Sequence, residues 1–184
     1  MSVLEFQRFF ECCVGSWSSE RTYHFLQRSQ VERSHTQFRV EPISSVQKNK
    51  VLQDNRRPPH PQVDRLQGYH LQFDTVSETG EQVSQQLNLL FVPTREERGA
   101  IEGDYLRDRA YEEAKPMVAH FRFNAFTREL LMTTHYTRVV SVDSITLVNP
   151  SLRLRQIVNY QRPPEGQPLE QVLLVGFGVE QKTD

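Results

Sequence analysis

Apolar residues recur along this chain at two periods. Over residues 4–14, Phe6, Phe9, Phe10 and Cys13 fall at helical spacing with Glu5, Gln7, Arg8 and Glu11 between them, and Gly15 follows where a helix would stop. This predicts one short amphipathic helix whose aromatic stripe plugs the end of a core. From Ser16 the period becomes two. Trp17, Ser19, Arg21, Tyr23 and Phe25 share one face of a strand, and Ser18, Glu20, Thr22, His24 and Leu26 share the other. Neither face is uniformly apolar, which suits a barrel with a partly polar interior better than a packed sandwich.

A second strand alternates through Thr36, Phe38 and Val40 and stops at Pro42. Residues 44–66 lack a period, and the proline-rich, charged run 55–61 predicts an exposed loop. Alternation resumes at Tyr69, Leu71 and Phe73. It turns at 78–81, continues through Leu87, Leu89 and Phe91, and passes a charged connection at 94–99. Further strands are expected at 103–112, 117–123, 130–136, 139–148, 152–160 and 172–179, with breaks at 124–127 and 163–166. That makes nine or ten short strands with little helix for parallel crossovers. The expected fold is all-β: an antiparallel up-and-down barrel of about ten strands with an N-terminal amphipathic helix, as one domain over residues 1–184.

Composition narrows the function classes. A formal net charge of -1 argues against nucleic acid as the main partner, because that requires a clustered positive field. No apolar run is long enough for a membrane span, and no basic segment precedes an apolar one at the start, so a cytoplasmic protein is expected. Cys12 and Cys13 are adjacent and alone, six histidines are scattered, and no Gly-rich phosphate loop or nucleophile elbow occurs. Neither a metal nor a nucleophile belonging to the chain is expected.

The most informative stretch is Asn149-Pro150-Ser151-Leu152-Arg153-Leu154-Arg155, a turn opening into a strand with two arginines at spacing two. Arg153 and Arg155 therefore leave the same face. The pair suits either the wet outer face of a sheet or an interior that grips a ligand with two carboxylate arms, since guanidinium groups bind carboxylates as planar forks.

Three blocks, in order, resemble the CpcS/CpeS family of phycobiliprotein lyases. Phe9-Phe10 to Gly15-Ser16-Trp17, with Ser19-Glu20-Arg21-Thr22-Tyr23-His24, is similar to the family's "FF…G.W.S.RT.H" start. Gly103-Asp104-Tyr105-Leu106-Arg107-Asp108, continuing to Glu113, is similar to "G.LLRD.GY.E", and the stretch 149–155 to "NPNLRLR". The resemblance implies a lipocalin-like or fatty-acid-binding-protein-like barrel that binds a free linear tetrapyrrole, phycocyanobilin or phycoerythrobilin, and delivers it to a cysteine of an apo-phycobiliprotein subunit. The bilin is substrate, so no separate cofactor is implied. A homodimer, or a heterodimer with a related lyase subunit, and a cyanobacterial cytoplasm or a plastid are implied as setting.

Laid over the residues, that chemistry assigns the two propionates to Arg153 and Arg155, with Arg21 as a third clamp. The acidic residue of the family's "ERIWF" segment falls at Asp143, which would hold the pyrrole N–H groups and favour the protonated, more electrophilic bilin. Trp17, His24 and Tyr136 are assigned to the pocket lining. The segment reads Asp143-Ser144-Ile145-Thr146-Leu147 here, without the family's arginine and tryptophan. Two other readings remain open: a non-catalytic bilin carrier or partner subunit, and a fatty-acid barrel with a single arginine clamp.

Overall fold

A computed structural model describes residues 2–108 and 118–183. Its order is α1 (Ser2–Cys13), β1 (Gly15–Phe25), β2 (Gln30–Pro42), α2 (Ser45–Asp54), β3 (Gln67–Ser77), β4 (Gln82–Glu97), β5 (Ala100–Arg107), β6 (Val118–Asn124), β7 (Glu129–His135), β8 (Val139–Asn149), β9 (Leu152–Gln161) and β10 (Val172–Lys182). Each strand pairs antiparallel with the next, and β1 closes the ring by pairing with β10. Closure leaves no free edge, and neighbouring strands are neighbours in sequence, so tight turns suffice.

Register fixes the inward face. Arg21 lies opposite Gly178, which lies opposite Arg155, which lies opposite Ile145. The odd residues of β1 and β9 thus look inward with the even residues of β10. One end of the barrel is sealed by α1. Phe6 stacks on Phe121 at 5.5 Å, Phe10 on Tyr69 at 5.1 Å, and Phe9 packs at 5.2 Å against Phe123. Trp17 and Phe38 complete this floor, stacked at 6.2 Å, and the Trp17 indole N–H donates to the Cys13 carbonyl at 3.0 Å. Up-and-down topology puts the β1–β2, β3–β4, β7–β8 and β9–β10 turns together at the opposite end.

Three expectations need correction. Residues 45–54 form a helix, α2, where no regular element was expected. Its polar composition hides the period, yet Ser44 and Gln47 make a reciprocal capping box that marks its start. Val51 and Leu52 seat it on Leu90 and Leu106, on the outer side of β4 and β5. Second, the charged run expected as a connection is the end of β4, which continues to Glu97 past an irregularity at Pro93 to Arg95. Third, β5 is shorter than expected within the described residues, running to Arg107, and residues 109–113 of the central block lie outside them.

Candidate functional site

The barrel interior is apolar near α1 and charged above it. Glu180 is fully buried on β10. Arg153 donates Nε to its Oε2 at 2.5 Å, and Arg21 approaches its Oε1 at 3.4 Å while donating Nε to the Ser19 hydroxyl at 3.2 Å. Burial alone would raise the Glu180 carboxyl pKa. The guanidinium groups of Arg153, Arg155 and Arg21 outweigh that and hold it below the usual carboxylate range.

The two arginines of the 149–155 stretch share a face but not an environment. Arg153 lies against the floor, its guanidinium 4.6 Å from the Trp17 ring centre and 4.9 Å from that of Phe38. Its side chain is 6% exposed, against 24% for Arg155. Arg155 stands one pleat nearer the open end and forks onto Asp143, donating Nε to Oδ1 at 3.0 Å and Nη2 to Oδ2. Burial by itself would lower the Arg155 pKa, but the Asp143 carboxylate dominates and raises it.

Of the residues expected at the site, Arg21, Arg153, Arg155 and Asp143 converge inside the barrel, and Trp17 forms the floor beneath them. Tyr136, in the β7–β8 turn, accepts at 3.3 Å from both Nη atoms of Arg107. His24 is not brought to the site. It falls on the even, outward face of β1, edge-on to the outward Phe177 at 6.3 Å. A residue one position from Tyr23 must leave the opposite side of the strand.

Three groups escaped the sequence reading. Glu180 was missed because the last strand was expected to end at Val179. Its signal is Gly176-x-Gly178-x-Glu180, three inward positions of which two carry no side chain. A Cβ on Gly176 would stand 2.8 Å from Tyr23 Cδ1, and one on Gly178 would stand 3.4 Å from Arg21 Cγ. These glycines therefore let Tyr23 and Arg21 lie against β10. Arg107 ends β5 with its guanidinium 5.5 Å from the Tyr105 ring and 5.7 Å from that of Tyr136. Asp108, next to it, ties this end to β4 by accepting from the Asn88 backbone at 2.9 Å and its side chain at 2.8 Å.

The departures from "ERIWF" fall elsewhere. Ser144 donates to Glu129 Oε1 at 2.6 Å on the outer side of the sheet, and Thr146 pairs with the exposed Leu154. The positions that lost arginine and tryptophan therefore do not line the interior, whereas Asp143 does.

The comparisons agree with this architecture. A protein called chromophore lyase CpcS/CpeS 1, from Synechococcus sp. (strain JA-3-3Ab), is 61% identical over 181 residues, covering 98% of each chain. A chromophore lyase CpcS/CpeS from Thermosynechococcus vestitus is 26% identical over 83% of this chain and 82% of its own. The solved structure of the S-type phycobiliprotein lyase CPES from Guillardia theta superposes with a TM-score of 0.76 at 19% identity, covering 100% of this chain and 98% of that one, which supports the fold. The model of the CpeS-like protein family matches residues 5–183, so the chain belongs to that family.

Proposed function

We propose that this chain is a chromophore lyase whose barrel takes up a free linear tetrapyrrole, phycocyanobilin or phycoerythrobilin, and promotes its thioether attachment to a cysteine of an apo-phycobiliprotein subunit. The observation that carries the reading is the ion-paired set of Arg155, Asp143, Arg21 and Glu180 held inside the barrel above its apolar floor. Buried ion pairs are costly to desolvate and seldom improve stability over apolar packing. Their presence suits a ligand that carries both acids and N–H donors.

In this reading a bilin propionate takes the Arg155 fork, with Arg21 beside it. Asp143, displaced from Arg155, turns to the pyrrole N–H groups and favours the protonated ring system. The partner's thiol then adds across the ethylidene double bond of ring A: sulfur bonds to the exocyclic carbon, and the thiol proton ends on the ring. No nucleophile of this chain is needed. Cys13 is unsuited to that role, since burial raises its pKa and withholds the thiolate despite the nearby Arg153. The role of Arg153 is to hold Glu180 and the floor. The bilin is substrate, no further cofactor is invoked, and residues 1–184 act as one bilin-binding domain.

The setting proposed is a cyanobacterial cytoplasm or a plastid; no described helix is long and apolar enough to cross a membrane. Pairing with a second copy or a related subunit is supported by Leu154, Phe177 and Val179, exposed on the outer face of β9 and β10. Sedimentation of the purified chain tests that pairing.

The main test mixes purified protein with phycocyanobilin, follows the visible spectrum, then adds an apo-phycobiliprotein and assays covalent fluorescent pigment. Binding and attachment are expected in the wild type, both weakened in Arg155→Ala. Binding without attachment would favour the carrier or partner-subunit reading, and an unchanged spectrum would refute both.

A further inference from the structure

Four residues beyond Arg155 on the inner row of β9, the Asn159 Oδ1 atom is buried and has no hydrogen-bond partner. A buried carbonyl oxygen left unpaired is costly, so nearly all such atoms are paired in native proteins, and each exception asks for a reason. The residue lines a cavity of about 240 Å³ near the open end of the barrel, together with Phe25, Arg28, Val139 and Leu174, while its Oδ1 is turned away from that space. Arg28 lies with its guanidinium 4.7 Å from the Phe25 ring centre. Whole drug-sized ligands occupy pockets of roughly 300–1,000 Å³. This space therefore suits one ring of a larger molecule.

Position identifies which ring. Four residues of strand span about 13 Å. Asn159 thus stands well beyond the Arg155 fork, on the same inner row and toward the open end. A linear tetrapyrrole carries its propionates on the two central rings and a lactam on each terminal ring. With a propionate at Arg155, the part of the molecule that extends toward Asn159 is a terminal ring. A lactam is a cis amide: its N–H and C=O lie side by side on one edge. A carboxamide presents the same two groups in complementary order, so the two form a cyclic pair of hydrogen bonds. The apolar walls accommodate the rest of the ring.

We propose that this cavity is the terminal-ring subsite of the barrel and that Asn159 reads the lactam edge, accepting its N–H and donating to its C=O. The proposal rests on the bilin reading above and extends it to a residue outside the charged cluster. Rotation of the carboxamide toward the cavity would give the unpaired oxygen its partner.

The test uses a dipyrrinone, a two-ring fragment with one lactam and one propionate, and the same compound methylated on the lactam nitrogen, each titrated by absorbance. Wild type should prefer the N–H compound about tenfold, the worth of one or two neutral hydrogen bonds. In Asn159→Leu that preference should fall to within about twofold, while both compounds still bind through the Arg155 fork. The melting temperature of Asn159→Leu should not fall, because no hydrogen bond of Oδ1 is lost. Asn159→Ala gives a second reading should the leucine misfold. A preference that persists in both variants overturns the proposal, as does a wild type that binds phycocyanobilin yet does not distinguish the two fragments. A wild type that binds neither phycocyanobilin nor the fragments overturns the bilin reading along with it.

Discussion

Arg153→Ala and Arg155→Ala should fail in opposite ways, although the two residues differ by one pleat of the same strand. Removing Arg153 leaves Glu180, with no exposed surface, with Arg21 at 3.4 Å as its one direct ion-pair partner and the Arg155 charge acting on it from farther off. Taking one partner from a buried ion pair costs about 3–5 kcal/mol. The lost stacking on Trp17 and Phe38, at 4.6 and 4.9 Å, adds to this, and the remaining Arg21 contact subtracts. A loss of about 3–4 kcal/mol is expected for that balance. At roughly 2–4 °C per kcal/mol for a chain of this size, melting should fall by about 10 °C.

Arg155→Ala leaves a carboxylate that water can reach, since the Asp143 side chain is 17% exposed. Its stability cost should stay near 1 kcal/mol, closer to that of a surface pair. Binding should suffer instead. A charge-assisted hydrogen bond contributes about 1.5–3 kcal/mol, so phycocyanobilin affinity should drop by about 10- to 150-fold. Urea denaturation and spectral titration of both variants measure the two quantities. If Arg153→Ala melts within about 1 kcal/mol of wild type, the assignment of Arg153 to the floor is wrong. An Arg155→Ala protein that binds bilin normally would remove the fork from the mechanism.

Acid should reveal the same buried cluster. Glu180 has a depressed folded pKa, so its stabilisation is complete above its unfolded value and is lost as pH falls through the folded one. Stability should therefore decline below about pH 4.5, and Glu180→Gln, already lacking the charge, should show a shallower decline in urea midpoints. Gly176→Val should abolish bilin binding with the barrel retained by circular dichroism, because its side chain would displace the Tyr23 ring that now stands 2.8 Å from the Cβ position. His24→Ala should leave binding within about twofold of wild type by spectral titration, since the ring lies outside the barrel. Ser44→Ala should cost about 1 kcal/mol in urea unfolding by removing the α2 cap, without altering affinity.

The strand pattern, the closed barrel and the helical plug were legible because each rests on a local period that the core reinforces. Phe6, Phe9 and Phe10 could hardly be read otherwise, and alternation at Trp17 to Phe25 carried over directly into β1. Helix α2 was not legible by period. It needs only Val51 and Leu52 to attach to the outside of the barrel, which leaves the rest of its surface free to be polar. The capping pair Ser44 and Gln47 was its one local mark.

What alternation supplies is a face, and a site inside a barrel also depends on depth. Arg153 and Arg155 have the same parity and nearly the same sequence context, so no pattern on β9 alone separates them. The difference comes from other strands: Trp17, Phe38 and Glu180 surround the first, and Asp143 meets the second across β8. The same limit explains Glu180, an acid whose meaning lies in two arginines from β1 and β9. It explains Asn159 too, an ordinary strand residue until the cavity beside it is known. Charge inside a barrel is therefore best sought as inward positions that face one another across the register, since a buried cation is tolerable only where neighbouring strands bring its anion.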